Sequence, residues 1–222
     1  MDIDVKKGSV LVFAPHHDDE SIGMGGTIKI LTNRGANVNL VVVTAGYSGV
    51  AGPLPSEQKI DMREKECLRA AKVLGVRRVK FLRMKDRAIL FDECTLERFV
   101  ETIRKFNPAY IYLPHGGESD RDHRMVNEIG KEAAWIAAVR SVFPQLGKPS
   151  RANRVIYYEV WSPMQKIGSC VDISSVLEAK KKAIECYKTQ LKGRDYLKMT
   201  LGLNMFRGVK HLSSPVGEAF GS

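Results

Sequence analysis

The sequence predicts an α/β protein with a mostly parallel sheet flanked by helices. Three observations predict it. Short apolar runs rich in β-branched residues alternate with longer stretches whose apolar residues recur at helical spacing. Polar clusters fall directly after strands, at 16–20, 44–49 and 115–123. A parallel sheet binds its ligands there, outside the carboxyl ends of its strands. With 222 residues, 44% of them hydrophobic, the chain can core one domain, or at most two small ones.

The elements follow in order. GSVLVFAP (8–15) holds a continuous apolar run, the pattern of a buried parallel strand. GGTIKILTNRG (25–35) places Ile28 and Leu31 on one helical face and closes on Gly35. NVNLVVVTAG (37–46) is a second strand. SEQKIDMREKECLRAAKVLG (56–75) reads as a helix with Ser56 as N-cap and Gly75 as its stop. RRVKFLRM (77–84) is a third strand, and the helix 94–108 ends at Asn107-Pro108. AYIYLPH (109–115) and RVIYYEVW (154–161) are further strands, separated by a long helix over 122–140. A last helix spans 176–190. Two segments, 47–57 and 191–222, are rich in turn residues; the first is expected to rim a pocket, the second to form another rim or an oligomer contact.

Composition narrows the function classes. Lys and Arg exceed Asp and Glu by 10. No long basic block or RNA-binding aromatic signature accompanies the excess, so a solvated basic surface is expected and a nucleic-acid partner is not. Cys67, Cys94, Cys170 and Cys186 are widely spaced without a CxxC pair, which suits a reducing compartment. The stretch 1–15 has no signal-peptide pattern, and no apolar run approaches the roughly 18 residues of a membrane span. A soluble cytoplasmic protein without a membrane partner is expected.

The chemistry concentrates in FAPHHDDESIGMGGT (13–27). His16 and Asp19, three apart on a tight turn, can face one point, offering the nitrogen and oxygen donors of a zinc-like divalent ion. Asp18 is then free of the ion but close to it, as a general base must be. Glu20 is expected to brace the turn or a neighbouring ligand. A third ligand must come from PHGGESDRDHRMV (114–126), where His123 opens a helix. Asp122 can fix an imidazole tautomer or tune a neighbouring group, and His115 can also reach the site. GMGG (23–26) lacks the order of a phosphate-cradling loop and reads as a close passage against the sheet.

These residues resemble the PIG-L/LmbE family of metal-dependent N-acetylglucosaminyl deacetylases. PHHDDESIGMGGT matches the family's first motif, with His17 in place of the usual proline, and DRDH (120–123) resembles its HPDH motif. VVVTAG (41–46), REKECLRAAKVLG (63–75), KKKAIECYKTQ (180–190) and GEAF (217–220) are similar to other family segments, so the resemblance spans nearly the whole chain. It implies a single domain over 1–222 with a Rossmann-like three-layer fold, and a zinc-dependent amidase that removes an acyl group, usually acetyl, from an amino sugar. By motif position His16, Asp19 and His123 are the ligands of Zn2+ or another divalent transition metal, Asp18 is the general base, and Arg63 contacts substrate. Family members often assemble, so a homo-oligomer is compatible.

One departure stands out. The family's first HPDH histidine helps polarise the carbonyl or protonate the leaving amine, and Asp120 occupies that position here. A protonated Asp120, His115 or His17 are the three alternatives. The departure also favours a second reading, a nucleotide- or sugar-binding module with a decayed active site.

Overall fold

The computed structural model describes residues 8–221. The stretch 1–7, part of the segment read for a leader, lies outside them. Among the described residues seven strands form one sheet: β1 (Ser9–Ala14), β2 (Asn37–Thr44), β3 (Arg78–Met84), β4 (Tyr110–Pro114), β5 (Arg154–Tyr158), β6 (Ser169–Asp172) and β7 (Gly217–Gly221). Their spatial order is β3-β2-β1-β4-β5-β7-β6. The first five are mutually parallel, and β7 runs antiparallel to both its neighbours. The chain leaves β1 towards one edge and returns to lay β4 on its other side. The carboxyl ends of β1 and β4 therefore flank the switch point, the crevice where such sheets bind ligands.

Helices α1 (Asp19–Asn33), α2 (Ser56–Leu74), α3 (Glu93–Phe106), α4 (Arg121–Ala137), α5 (Leu177–Ile184), α6 (Lys188–Leu191) and α7 (Tyr196–Leu212) surround the sheet. β1 shows why there are three layers. Val10, Val12 and Ala14 join the core under α1, α2 and α5. Leu11 and Phe13 join the core under α3 and α4. Alternate side chains point to opposite faces, so a strand apolar at every position must be covered twice. No helix among the described residues is long and apolar enough to cross a membrane.

Several elements depart from expectation. The first helix starts at Asp19, not at 25, and is interrupted at Met24 (φ −145°, ψ 23°). The Glu218 carboxylate, from β7, caps the second half by accepting from the N–H groups of Gly26 (2.9 Å) and Thr27 (2.7 Å). Lys180, buried beside it, donates to Glu218 (2.5 Å) and to the Ile22 carbonyl (2.8 Å). The late KKKAIE and GEAF segments thus meet at this break. Gly23 lets α1 approach β5: a Cβ there would lie 2.4 Å from the Glu159 carbonyl oxygen. Pro55, not Ser56, is the N-cap of α2, whereas Gly75 ends it in the left-handed region (φ 82°). The predicted helix 176–190 divides into α5 and α6. The stretch 191–222 contributes α7 and β7, and β6 was likewise not anticipated. Buried Arg104 of α3 ties down the end of α4, donating to the carbonyls of Ile136, Ala137, Val139, Val142 and Phe143.

Candidate metal centre and active site

Three donors converge at the switch point. His16 follows β1, Asp19 opens α1, and His123 lies in the first turn of α4. His16 Nδ1 lies 3.3 Å from His123 Nε2 and 3.4 Å from Asp19 Oδ2, and His123 Nε2 lies 3.2 Å from Asp19 Oδ2. The turn locks itself, because Asp19 Oδ2 also accepts from the His16 backbone N–H at 2.7 Å. Two imidazole nitrogens and a carboxylate oxygen facing one point fit a divalent cation. In their neutral forms as metal ligands the two rings would aim lone pairs at each other, and a cation between them satisfies both. The electrostatics agree. Burial opposes protonation of both rings, yet the Asp122 and Asp19 hydrogen bonds outweigh it for His16, raised to about 10. Asp19 does the same for His123, raised to about 9. The surroundings thus favour positive charge at this point.

Each imidazole has its own carboxylate behind it. Asp122 Oδ2 accepts from His16 Nε2 at 3.2 Å, leaving Nδ1 to face the donor group. Glu118 Oε2 stands 3.7 Å from His123 Nδ1. Glu118 was not anticipated. Its two oxygens also take the N–H groups of Val160, Trp161 and Ser162, so it fixes the turn after β5. The acid five positions before His123 in GGESDRDH was its only sequence signal.

Asp18 sits beside the donors, not among them. It is the N-cap of α1, with φ 135°. Its N–H donates to Glu20 Oε2 at 3.3 Å, and Glu20 Oε1 accepts from the hydroxyls of Ser21 and Tyr187, both at 2.6 Å. Glu20 therefore ties the turn to α1 and to Tyr187. Burial pushes the Asp18 carboxyl up to about 7, against the lowering pull of Arg63. Arg63 Nη2 lies 3.4 Å from Asp18 Oδ1, and its guanidinium also holds the His17 carbonyl and packs 5.7 Å from the centre of the Tyr187 ring. Arg63 lines the cavity but is only 2% exposed, so it orients Asp18 as much as it faces a ligand.

The three alternatives for the missing histidine separate clearly. His17 is fully buried, stacked 5.4 Å from Phe81. It packs under Gly46, where a Cβ would lie 2.6 Å from its Nδ1. Burial and then Arg63 push its pKa down to about 2; it remains neutral and fills space. His115 does not reach the cavity at the donor group. Its Nε2 donates to the Ser162 carbonyl at 2.6 Å, and the ring lines a separate cavity with Tyr157 and Met164. Asp120 does line the site cavity. Its Oδ1 accepts the Asp122 N–H at 2.8 Å, as N-cap of α4, and its Oδ2 meets Arg87 Nη1 at 2.7 Å. Both oxygens therefore accept from donors, one on the backbone of α4 and one on Arg87.

The cavity has a volume of about 740 Å³ and is lined by His16, Asp18 and Arg63 together with Trp161 and Tyr196. These two rings lie 5.2 Å apart and offer apolar faces beside polar groups. Ser48 and Gly49 line it from the 47–57 segment, and Arg194, Tyr196 and Met199 from the 191–222 segment. Asp86 and Arg87, also lining it, were missed. Sequence reading found polar clusters after the first, second and fourth strands, and passed over Lys85-Asp86-Arg87 after the third. Asp86 receives the N–H groups of Gly46 (2.7 Å) and Ser48 (2.8 Å).

This sheet, with a His/Asp donor group at its switch point, defines an α/β enzyme class with a candidate metal centre. The chain belongs to the PIG-L family, described as GlcNAc-PI de-N-acetylase, which matches residues 11–134. It is 32% identical over 195 residues to a diacetylchitobiose deacetylase of Thermococcus kodakarensis, covering 84% of this chain and 71% of that protein. A probable N-acetyl-alpha-D-glucosaminyl L-malate deacetylase 2 of Bacillus cereus is 27% identical, over 66% of this chain and 75% of that one. Among solved structures, N,N'-diacetylchitobiose deacetylase from Pyrococcus horikoshii, in complex with an inhibitor, superposes with a TM-score of 0.88 at 27% identity, covering 97% of this chain and 84% of the other.

Proposed function

We propose that residues 1–222 form one metal-dependent deacetylase domain that cleaves the acetamide of N-acetylglucosamine-type sugars or their conjugates. One observation carries the reading: three metal-type donors within 3.4 Å of one another, with the separate carboxylate of Asp18 at the same cavity. His16, Asp19 and His123 would hold the ion, and zinc suits a donor set of two imidazoles and one carboxylate. When bound, it supplies Lewis-acid polarisation and eases deprotonation of water. Asp18 accepts the proton of the attacking water and then delivers it to the departing nitrogen, since no imidazole is placed to do so. Trp161 and Tyr196 flank the sugar ring. A complete donor set weighs against the decayed binding module.

The test is acetate release from diacetylchitobiose, N-acetylglucosaminyl malate and N-acetylglucosaminyl inositol, with zinc and with chelator. Metal-dependent release from at least one is expected; none from any overturns the reading. Glu118→Gln is expected to weaken zinc binding about 10- to 100-fold, because the His123 ring loses the carboxylate behind its Nδ1. Competition against a chromophoric chelator measures it, and unchanged affinity would limit Glu118 to holding the turn at 160–162.

A further inference from the structure

We propose that Arg87 is a catalytic residue of this hydrolysis: its guanidinium, docked on Asp120, binds the carbonyl oxygen of the scissile amide and stabilises the charge that develops there. The proposal rests on the deacetylase reading and deepens it.

Arg87 is held in a conformation that side chains avoid, with φ 62°. A bulky residue in the left-handed region is uncommon and costs energy unless its surroundings enforce it. The Ala88 N–H closes the turn around it on the Lys85 carbonyl at 3.3 Å, and three contacts come from the start of α4. The Arg87 N–H donates to Asp122 Oδ2 at 2.8 Å, its carbonyl accepts from Arg121 Nη1 at 3.1 Å, and its own Nη1 meets Asp120 Oδ2 at 2.7 Å. The same Asp122 oxygen accepts from His16. The loop after β3 is thus tied to the helix end that carries His123.

Position supports the role. Arg87 lines the cavity together with His16 and Asp18. Donor atoms of His16, Asp120 and Asp122 lie within 4.8 Å of one another, so the guanidinium is one ion pair away from the metal-type donors. Its side chain is 63% exposed, and among the described residues its guanidinium pairs with Asp120 alone. The rest of its N–H fork is free to donate into the cavity. The other two arginines lining the cavity are placed differently. Arg63 is buried and committed to Asp18 and the His17 carbonyl, and Arg194 belongs to the 191–222 wall.

The chemistry needs such a group. Water oxygen bonds to the amide carbon while Asp18 takes its proton. The carbonyl oxygen gains negative charge, then the C–N bond breaks and the Asp18 proton goes to nitrogen. A guanidinium keeps its proton throughout, so Arg87 acts electrostatically, as donors preorganised where charge develops. Asp120 keeps it aimed and is a positioning residue.

The experiment compares wild type, Arg87→Met, Arg87→Lys, Arg87→Ala and Asp120→Asn on the best substrate of the panel above. Arg87→Met is expected to lower kcat roughly 100- to 1,000-fold, with KM within about threefold, and with zinc content and Tm of wild type. Arg87→Lys recovers part of the loss, and millimolar methylguanidine raises the rate of Arg87→Ala. Asp120→Asn retains the N-cap and loses about tenfold in kcat. A raised KM with unchanged kcat in Arg87→Met would make Arg87 a ground-state contact and overturn the proposal, as would unchanged values of both. A wild type that releases no acetate from any panel member fails at the deacetylase reading, before the variants are compared.

Discussion

Asp18→Asn is expected to lower kcat about 100- to 10,000-fold while zinc content stays at the wild-type level. The size follows from the division of labour in the turn. Asp19 faces the two imidazoles, whereas Asp18 faces the cavity and Arg63. The amide is nearly isosteric and remains a competent N-cap, so the fold and donor group are expected to survive while the proposed base is lost. With no imidazole at hand, the same substitution also removes the proton donor to the leaving nitrogen. The wild-type pH profile adds a check. The Asp18 carboxyl lies at about 7 through burial, and a neighbouring divalent cation adds positive charge that lowers it. Activity should therefore fall on the acid side, with the limb of kcat/KM below 7. Elemental analysis and steady-state rates decide the matter, and a variant retaining wild-type turnover would move the base elsewhere.

His123→Ala is expected to reduce bound zinc from one equivalent per chain to less than about a tenth, with activity following the metal. His123 is fully buried and is the one donor contributed by α4; without it the β1–α1 turn retains two. Metal binding stabilises a fold by mass action, about 2.7 kcal/mol when free ligand is 100 times Kd. Added zinc should therefore raise the Tm of chelator-treated wild type and leave that of the variant unmoved. A full equivalent of zinc in His123→Ala would exclude it from the donor group. The comparison of Tm with and without zinc separates loss of a ligand from general damage to the core.

Much of the fold was readable because it depends on local periodicity. β1, β2 and β4 are apolar on both faces, and the helices between them carry apolar residues at helical spacing, so the parallel five-stranded part announced itself. The remaining edge did not. β6 is only four residues long and half-buried. α7 reverses the usual pattern, burying Thr200, Asn204 and Arg207 while exposing Met199, Met205, Phe206 and Val209. Its buried face makes polar contacts, Arg207 to Glu159 and Asn204 to the Gly217 carbonyl, and so has no apolar stripe to find.

The candidate site divides in the same way. PHHDDE determined a turn able to present His16 and Asp19 to one point and leave Asp18 free, because those relations span three residues of chain. DRDH determined that His123 would stand at a helix start. The tertiary structure decided which acid serves which imidazole: Asp122 reaches His16 across 106 residues of chain, whereas Glu118, five positions before His123, is brought behind that ring by the loop entering α4. It also decided the two departures. His17 is a buried, neutral ring under Gly46, a packing choice invisible in a string of letters. Asp120 meets Arg87 only because β3 and β4 deliver their ends to the same crevice. Sequence specifies donors and short-range turns, since these follow from residue type and spacing. Pairing across the sheet is set by strand order, which no single segment carries.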